Sequence, residues 1–375
     1  METKNTARNI NWATFINARV HPMRPYKPGL REEQVRDITD ACELVKISSN
    51  ESPFPPFTTA LAAGERALRT ANRYPDGGAH ELKTALSARL DVDEAYIVVG
   101  NGSNELLMLL AYATLGVGDE VVYGWPSFIV YPLMCELTGA TAVPVALNER
   151  EEYDLDAMRE AITERTKIVV LCNPNNPTGT IYTREAFAAF MDTVPRDVLV
   201  VVDEAYFEFV AADAETNALE WFDGERPLVV LRTFSKAYAM AGMRCGYGVM
   251  PVALAEALGK IRAPFNVNVA AQAMATAALA DNAELARRTT VNAEGRRRIE
   301  EACEQLGITY AASQANFVWV HAPRPQGAFQ ALLKKGIIVR DFGDTPALRI
   351  GVGSPDEVTR TIAALEALVE EGTWS

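Results

Sequence analysis

Three histidines in 375 residues leave little material for a metal centre. His21, His80 and His321 lie far apart in the chain and read as structural or surface residues. Cysteine is scarce too: Cys42, Cys135, Cys172, Cys245 and Cys303 are odd in number, scattered and without a C-x-x-C spacing. That pattern argues against a zinc site and predicts reduced, cytoplasmic thiols. No apolar run is long enough to cross a bilayer. Met1-Glu2-Thr3-Lys4-Asn5 has no apolar stretch of signal-peptide type. Internal repeats and low-complexity tracts are absent. Positive charge is in deficit, with 36 Lys and Arg against 49 Asp and Glu, a net charge of −13. An acidic chain without a basic cluster argues against nucleic acid or an anionic membrane as partner. It leaves room for small phosphorylated ligands, which need only a few arginines and backbone amides. What the chain does have is a hydrophobic content of 49%, enough for a large core in two or three domains.

The hydrophobic pattern divides the chain. Residues 1–45 read as an arm, broken into short extended and turn pieces by Pro22, Pro25, Pro28 and Gly29. Over 46–260, short apolar runs alternate with helical patterns. Tyr96 to Val99, Glu120 to Tyr123, Lys167 to Leu171 and Val198 to Val202 are strand-like; Asn104 to Leu115 and Arg184 to Met191 are helix-like. This alternation predicts an α/β domain with a mostly parallel sheet. Over 261–375 the pattern changes to long helices, Ala270 to Asp281 and Ala283 to Leu306. Strand-like runs at Phe317 to Val320 and Ala347 to Val352 and a closing helix from Pro355 to Glu371 complete it. A second, smaller α+β domain is expected there.

One lysine stands out. Lys236 follows the apolar run Leu228-Val229-Val230-Leu231, inside Ser235-Lys236-Ala237-Tyr238-Ala239-Met240-Ala241-Gly242-Met243-Arg244. A lysine at a strand exit among small residues is badly placed for a solvated charge. A partly buried amine has a lowered pKa and becomes a nucleophile able to form a Schiff base with an aldehyde. If the aldehyde is pyridoxal 5'-phosphate (PLP), the chain must also hold a carboxylate for the pyridine nitrogen, donors for the ring oxygen and a phosphate cradle.

Each has a candidate at a strand exit, where open α/β sheets bind ligands. Asp203 ends the run Val198 to Val202. A buried carboxylate there can keep a pyridinium protonated, although Asp-Glu-Ala-Tyr can equally cap a helix. Tyr206 follows three residues on and can reach the ring oxygen if the backbone turns helically. Asn173-Pro174-Asn175-Asn176-Pro177-Thr178-Gly179 is a stiff turn that can aim an asparagine amide. Gly100-Asn101-Gly102-Ser103-Asn104-Glu105 joins a strand to a helix and offers free amides to an anion, though such loops are more often plain caps. Ser235 and Arg244 can complete a phosphate shell. Phe128 can stack on an aromatic ring or simply fill the core. Arg340 and Arg349 sit inside apolar runs, where arginine needs an anionic partner. That partner is either an ion-pairing residue such as Asp341 or Asp344, or a substrate carboxylate, with Arg349 the stronger clamp.

Taken in order and spacing, Asn-Pro-Asn-Asn-Pro-Thr-Gly, Asp-Glu-Ala-Tyr, Ser-Lys-Ala-Tyr-Ala-Met-Ala-Gly-Met-Arg-Cys-Gly-Tyr and Leu-Arg-Ile-Gly-Val-Gly resemble the fold-type I PLP-dependent aminotransferases. From about Arg24 onward the chain is most similar to their histidinol-phosphate group. The resemblance implies the aspartate aminotransferase-like, PLP-dependent transferase fold. It implies that Lys236 carries PLP and moves the proton, with Asp203 on the pyridine nitrogen and Tyr206 and Asn176 on the ring oxygen. Gly102, Ser103, Asn104, Ser235 and Arg244 would hold the phosphate. Phe128 would stack where relatives often have tyrosine. Tyr26 resembles a substrate-contacting tyrosine, and Tyr74 a residue that reaches the cofactor phosphate across a homodimer interface. Arg340 and Arg349 match two arginines for substrate anions. The stretch between them, Asp341 to Leu348, is shorter than the loop of many relatives.

The activity implied is ping-pong transfer of an amino group from a donor, here L-histidinol phosphate, to 2-oxoglutarate, as in histidine biosynthesis in the cytoplasm. An aromatic amino acid aminotransferase, acting on phenylalanine, and a threonine-phosphate decarboxylase-like enzyme are the rivals. A PLP-binding regulator is disfavoured, because no room is left for a DNA-binding domain outside 46–375.

Overall fold

The structure is a computed structural model that describes residues 10–25, 29–30, 32–39, 41–343 and 345–374. A seven-stranded sheet organises the larger part. Its strands lie in the order Ile97–Gly100, Gly246–Val249, Leu228–Thr233, Leu199–Asp203, Thr166–Cys172, Glu120–Trp125 and Thr141–Ala146. Gly246–Val249 runs antiparallel to both of its neighbours, and the other pairings are parallel. The central strands are rich in Val, Ile and Leu and are buried along their length except at Lys167, as expected for a parallel sheet covered on both faces. The edge strand Thr141–Ala146 is largely exposed and contains Pro144, which a central strand could not accommodate. The α/β aspartate aminotransferase-like architecture expected from the sequence is therefore present.

A second core joins Val45 and Ile47 to Ile299, Val318, Val320, Leu348, Ile350, Val358 and Leu365. Its antiparallel sheet runs Arg340–Asp341, Ala347–Gly351, Phe317–His321, Tyr310–Ala311. The helix Asn282–Leu306 and the helix Pro355–Glu370 pack together beside it. The latter begins with a capping box between Ser354 and Glu357, which satisfies backbone donors at its first turn. Val45–Lys46 pairs in parallel with Ile337–Ile338. The segment 48–51 leaves that pair and runs toward the large sheet.

Two features depart from the sequence reading. The arm holds short helices, Trp12–Phe15 and Glu32–Arg36, where extended and turn pieces were expected. Asn11 caps the first through its side chain, and Glu32 and Glu33 favour the N-terminus of the second. The strand Gly246–Val249 was not foreseen, because glycine at 246 and 248 lowers strand propensity. A Cβ on Gly246 would sit 2.5 Å from the Ser103 amide nitrogen, so the glycine allows the loop at 102–103 to cross this strand. Among the described residues no helix is long and apolar enough to cross a membrane.

Candidate active site

The parallel strands deliver their carboxyl ends to one cavity of about 420 Å³. Its wall includes Gly102, Ser103, Asn104, Phe128, Asn176, Asp203, Tyr206, Ser235, Lys236, Arg244, Arg340 and Arg349. These residues come from the exits of strands 97–100, 120–125, 166–172, 199–203 and 228–233 and from the smaller antiparallel sheet. Tyr74 does not line it: this side chain is 81% exposed and stacks on Phe265 at 4.5 Å between ring centroids. Tyr26 lies outside the described residues, as does Asp344, while its neighbours Arg24 and Pro25 line an adjoining cleft.

Lys236 reaches into the cavity, with Nζ 3.3 Å from the Ser49 carbonyl oxygen and 5.7 Å from the centre of the Tyr206 ring. Burial pulls its amine down to about 8; Arg349 and Arg244 push the same way, and Glu51 and Asp203 resist. The amine is thus within reach of its neutral, nucleophilic form near neutral pH.

Asp203 ends its strand beside Cys172 and is 3% exposed. The Tyr131 hydroxyl donates to its Oδ2 at 3.0 Å. Its Oδ1 is buried and has no hydrogen-bond partner. Burial pushes the carboxyl up to about 6, opposed first by Tyr131 and then by the Ala205 amide. An orphaned buried carboxylate oxygen on a cavity wall is costly unless a ligand donor meets it.

Asn176 is held by Arg349, which donates to its Oδ1; its amide NH₂ is therefore the end left to act as donor. The loop behind it is fixed by Asn175, which accepts from Ser127 Oγ at 2.7 Å and donates to the Pro126 carbonyl at 3.1 Å. Asn50 donates to the Tyr206 hydroxyl at 2.9 Å. Burial pushes the Tyr206 phenol upward, so it remains a protonated donor.

At the other end, Gly102 has φ +83° and caps the helix Ser103–Thr114. A Cβ there would meet Arg244 Nη2 at 2.7 Å, so only glycine lets the guanidinium lie over the loop. Arg244 is itself left-handed, with φ +60°, and donates through Nη1 to the Ala241 carbonyl at 2.8 Å. Ser235 accepts from Thr233 Oγ1 at 3.0 Å. Helix-start amides, a hydroxyl and a guanidinium meet at one end, as a phosphate requires.

The lining fits PLP. Lys236 can meet its aldehyde, the orphaned Asp203 Oδ1 its ring nitrogen, Asn176 and Tyr206 its ring oxygen, and the Gly102–Arg244 cradle its phosphate. Among the described residues no group of three or more His, Cys, Asp or Glu side chains is placed to hold a metal ion.

Arg340 and Arg349 are opposite each other in one antiparallel pair. Both line the cavity and a neighbouring cleft of about 810 Å³, whose wall includes Trp125, Phe128, Phe329 and Phe342. Arg349 also donates to the Ser48 carbonyl at 2.8 Å.

Sequence reasoning missed Tyr131 and the segment Ser48-Ser49-Asn50-Glu51, which lines the cavity. The polar run at 48–51 between an apolar pair and Pro53 was a usable signal. Tyr131 carried none, because its hydroxyl finds Asp203 only through the sheet.

Comparison with known proteins is consistent with this geometry. The family described as aminotransferase class I and II matches residues 43–365. The chain is 39% identical over 352 residues to a histidinol-phosphate aminotransferase of Moorella thermoacetica, covering 92% of this chain and 91% of the relative. It is 41% identical over 356 residues to one from an Anaeromyxobacter species, covering 94% and 98%. The crystal structure of histidinol-phosphate aminotransferase from Sinorhizobium meliloti in complex with pyridoxal-5'-phosphate superposes with a TM-score of 0.85 at 30% identity, covering 92% and 96%.

Proposed function

The chain belongs to the class I and II aminotransferases, and we propose that it moves an amino group from L-histidinol phosphate to 2-oxoglutarate in the cytoplasm. It is a PLP-dependent transaminase. The observation that carries the substrate reading is the pair Arg340 and Arg349, facing each other where the cofactor cavity opens into an aromatic-walled cleft. Histidinol phosphate offers an imidazole to the aromatic wall and a phosphate to a guanidinium, and it has no α-carboxylate. Glutamate and 2-oxoglutarate bring two carboxylates. Arg349 then binds the α-carboxylate, and Arg340 alternates between substrate phosphate and distal carboxylate. Tyr26 is assigned beside Arg340.

When bound, PLP supplies an electron sink for the pair released from the substrate Cα–H bond. Lys236 Nζ would take the Cα proton as general base and, once protonated, serve as the general acid. Asp203 Oδ1 would keep the ring nitrogen protonated, while Asn176 Nδ2 and the Tyr206 hydroxyl would donate to the ring oxygen. Phe128 would cover one ring face. Gly102, Ser103, Asn104, Ser235 and Arg244 would hold the phosphate. Tyr74, outward-facing and braced by Phe265, is assigned to the phosphate site of a second copy in a homodimer.

The test is a half-reaction. PLP-loaded protein is mixed with histidinol phosphate, phenylalanine or glutamate, and bleaching of the cofactor's visible band is followed. Histidinol phosphate and glutamate should bleach it fastest. The aromatic wall favours one second reading, an aromatic amino acid aminotransferase, and faster bleaching by phenylalanine than by histidinol phosphate would establish that instead. A Lys236→Ala protein that kept the visible band would sink the lysine assignment.

A further inference from the structure

We propose that Tyr131 is a positioning residue for the reaction: its hydroxyl anchors Asp203 through Oδ2 and so leaves Oδ1 for the ring nitrogen. The inference rests on the reading of Asp203 given above and extends it to a residue outside the cavity wall.

Tyr131 lies in the helix Val130–Thr138 and is fully buried. Its ring is edge-on to Phe128 at 5.9 Å and tilted against Tyr123 at 6.1 Å. The phenol therefore has one orientation, and a buried hydroxyl in a packed site needs a partner. That partner is Asp203 Oδ2, at 3.0 Å. A carboxylate has two oxygens and can turn about its last bond. A donor on Oδ2 fixes that turn and settles which oxygen remains open.

The groups around Asp203 leave Tyr131 as its main support. Cys172, Tyr153 and Tyr206 face it from three other segments, and burial pushes all three upward, so each stays neutral. Glu204, its like-charged neighbour, is paired with Arg232 at 2.8 Å. Lys236 is the cation opposite. Among the influences that lower the Asp203 pKa, the Tyr131 hydrogen bond is the largest. Removing it should let the carboxyl protonate at higher pH and turn freely.

The experiment uses the full-length apoprotein with ¹³C-carboxyl aspartate, with D203N to assign the Asp203 signal. Y131F, which keeps the ring and its packing, should raise the Asp203 titration midpoint by about one pH unit, the order expected for one hydrogen bond to a charged group. Its PLP affinity, measured by equilibrium dialysis, should fall about tenfold, and the same substitution on the D203N background should change affinity little. 3-Fluorotyrosine at position 131, a stronger donor with the ring intact, should move the midpoint down and covers the case of an unfolded Y131F. An unchanged midpoint in both variants, or an equal loss of affinity on the D203N background, overturns the proposal alone. A D203N protein that binds PLP as tightly as the unsubstituted one overturns the ring-nitrogen assignment and the proposal with it.

Discussion

The lowered pKa of Lys236 can be measured without substrate or cofactor. A neutral amine is the reactive species toward acetic anhydride, which does not itself titrate, so the rate of acetylation follows the neutral fraction. An ordinary lysine, with a pKa near 10.4, is neutral in roughly one molecule in 2,500 at pH 7. With burial holding Lys236 at about 8, the neutral fraction at pH 7 is roughly one in ten, a gain of about two orders of magnitude. The apoprotein is treated with trace acetic anhydride across pH 6 to 11, and the Lys236 peptide is quantified by mass spectrometry, with exposed Lys260 as internal reference. The Lys236 rate should level off above about pH 8. Replacing Arg349 with glutamine removes the neighbouring charge that most lowers this amine. The ammonium form is then less disfavoured, so the midpoint should rise and the pH 7 rate should fall. A midpoint near that of a solvated lysine, or a downward shift in R349Q, refutes the reasoning.

Other consequences can be tested on stability and binding. Glu151 accepts from Trp319 Nε1 and His321 Nε2, both at 3.0 Å. The Glu151 hydrogen bond raises the His321 pKa, so the ionic part of this contact is complete below the unfolded value near 6.5 and fades as pH rises through the folded one. Both side chains are partly exposed, so E151Q should cost about 1 kcal/mol in urea unfolding at pH 5.5 and less at pH 9; equal costs would show that the pair carries no charge coupling. In G102A, a Cβ forced against Arg244 in a left-handed backbone should weaken PLP binding about tenfold by dialysis, and unchanged affinity would argue against the phosphate cradle. Arg232 and Glu204 form a buried pair, with side chains 6% and 0% exposed. R232A leaves Glu204 without its cation and should lower stability by about 3 kcal/mol in chemical unfolding. A loss below 1 kcal/mol would mean that Glu204 is protonated in the variant.

What was legible in the sequence follows from where each contact comes from. Lys236, Asp203, Asn176 and the loop at 100–105 each follow an apolar strand. Parallel strands put all their carboxyl ends on one edge, so a list of strand exits was already a list of cavity residues. The strand Gly246–Val249 carried no apolar pattern, because Gly246 serves the close approach of residues 102–103 and Gly248 leaves room for the Leu231 and Met250 side chains. The polar run at 48–51 marked a loop, but not its place in the cavity, which depends on a two-residue pairing across nearly the whole chain, Val45 and Lys46 with Ile337 and Ile338. Arg340 and Arg349 were read inside two separate apolar runs, nine residues apart in the chain. The antiparallel pairing turns that spacing into direct opposition across a sheet, a register that depends on the connection between them and on which strands meet.

The position of Arg349 has a consequence for how its variants are interpreted. Its guanidinium comes from the smaller sheet, yet it holds Asn176 from the large sheet and the Ser48 carbonyl from the crossing segment. An arriving carboxylate must share that guanidinium with both. Any displacement of Asn176 alters the donor available to the cofactor's ring oxygen, so substrate binding and cofactor electronics are coupled through one side chain. Loss of activity in R349Q therefore cannot be assigned to substrate affinity alone. The N176A and R349Q/N176A proteins separate the two effects. If Arg349 acts partly through Asn176, the pH dependence of the cofactor band will shift in R349Q and shift no further in the double variant; additive shifts would mean that the two residues act independently.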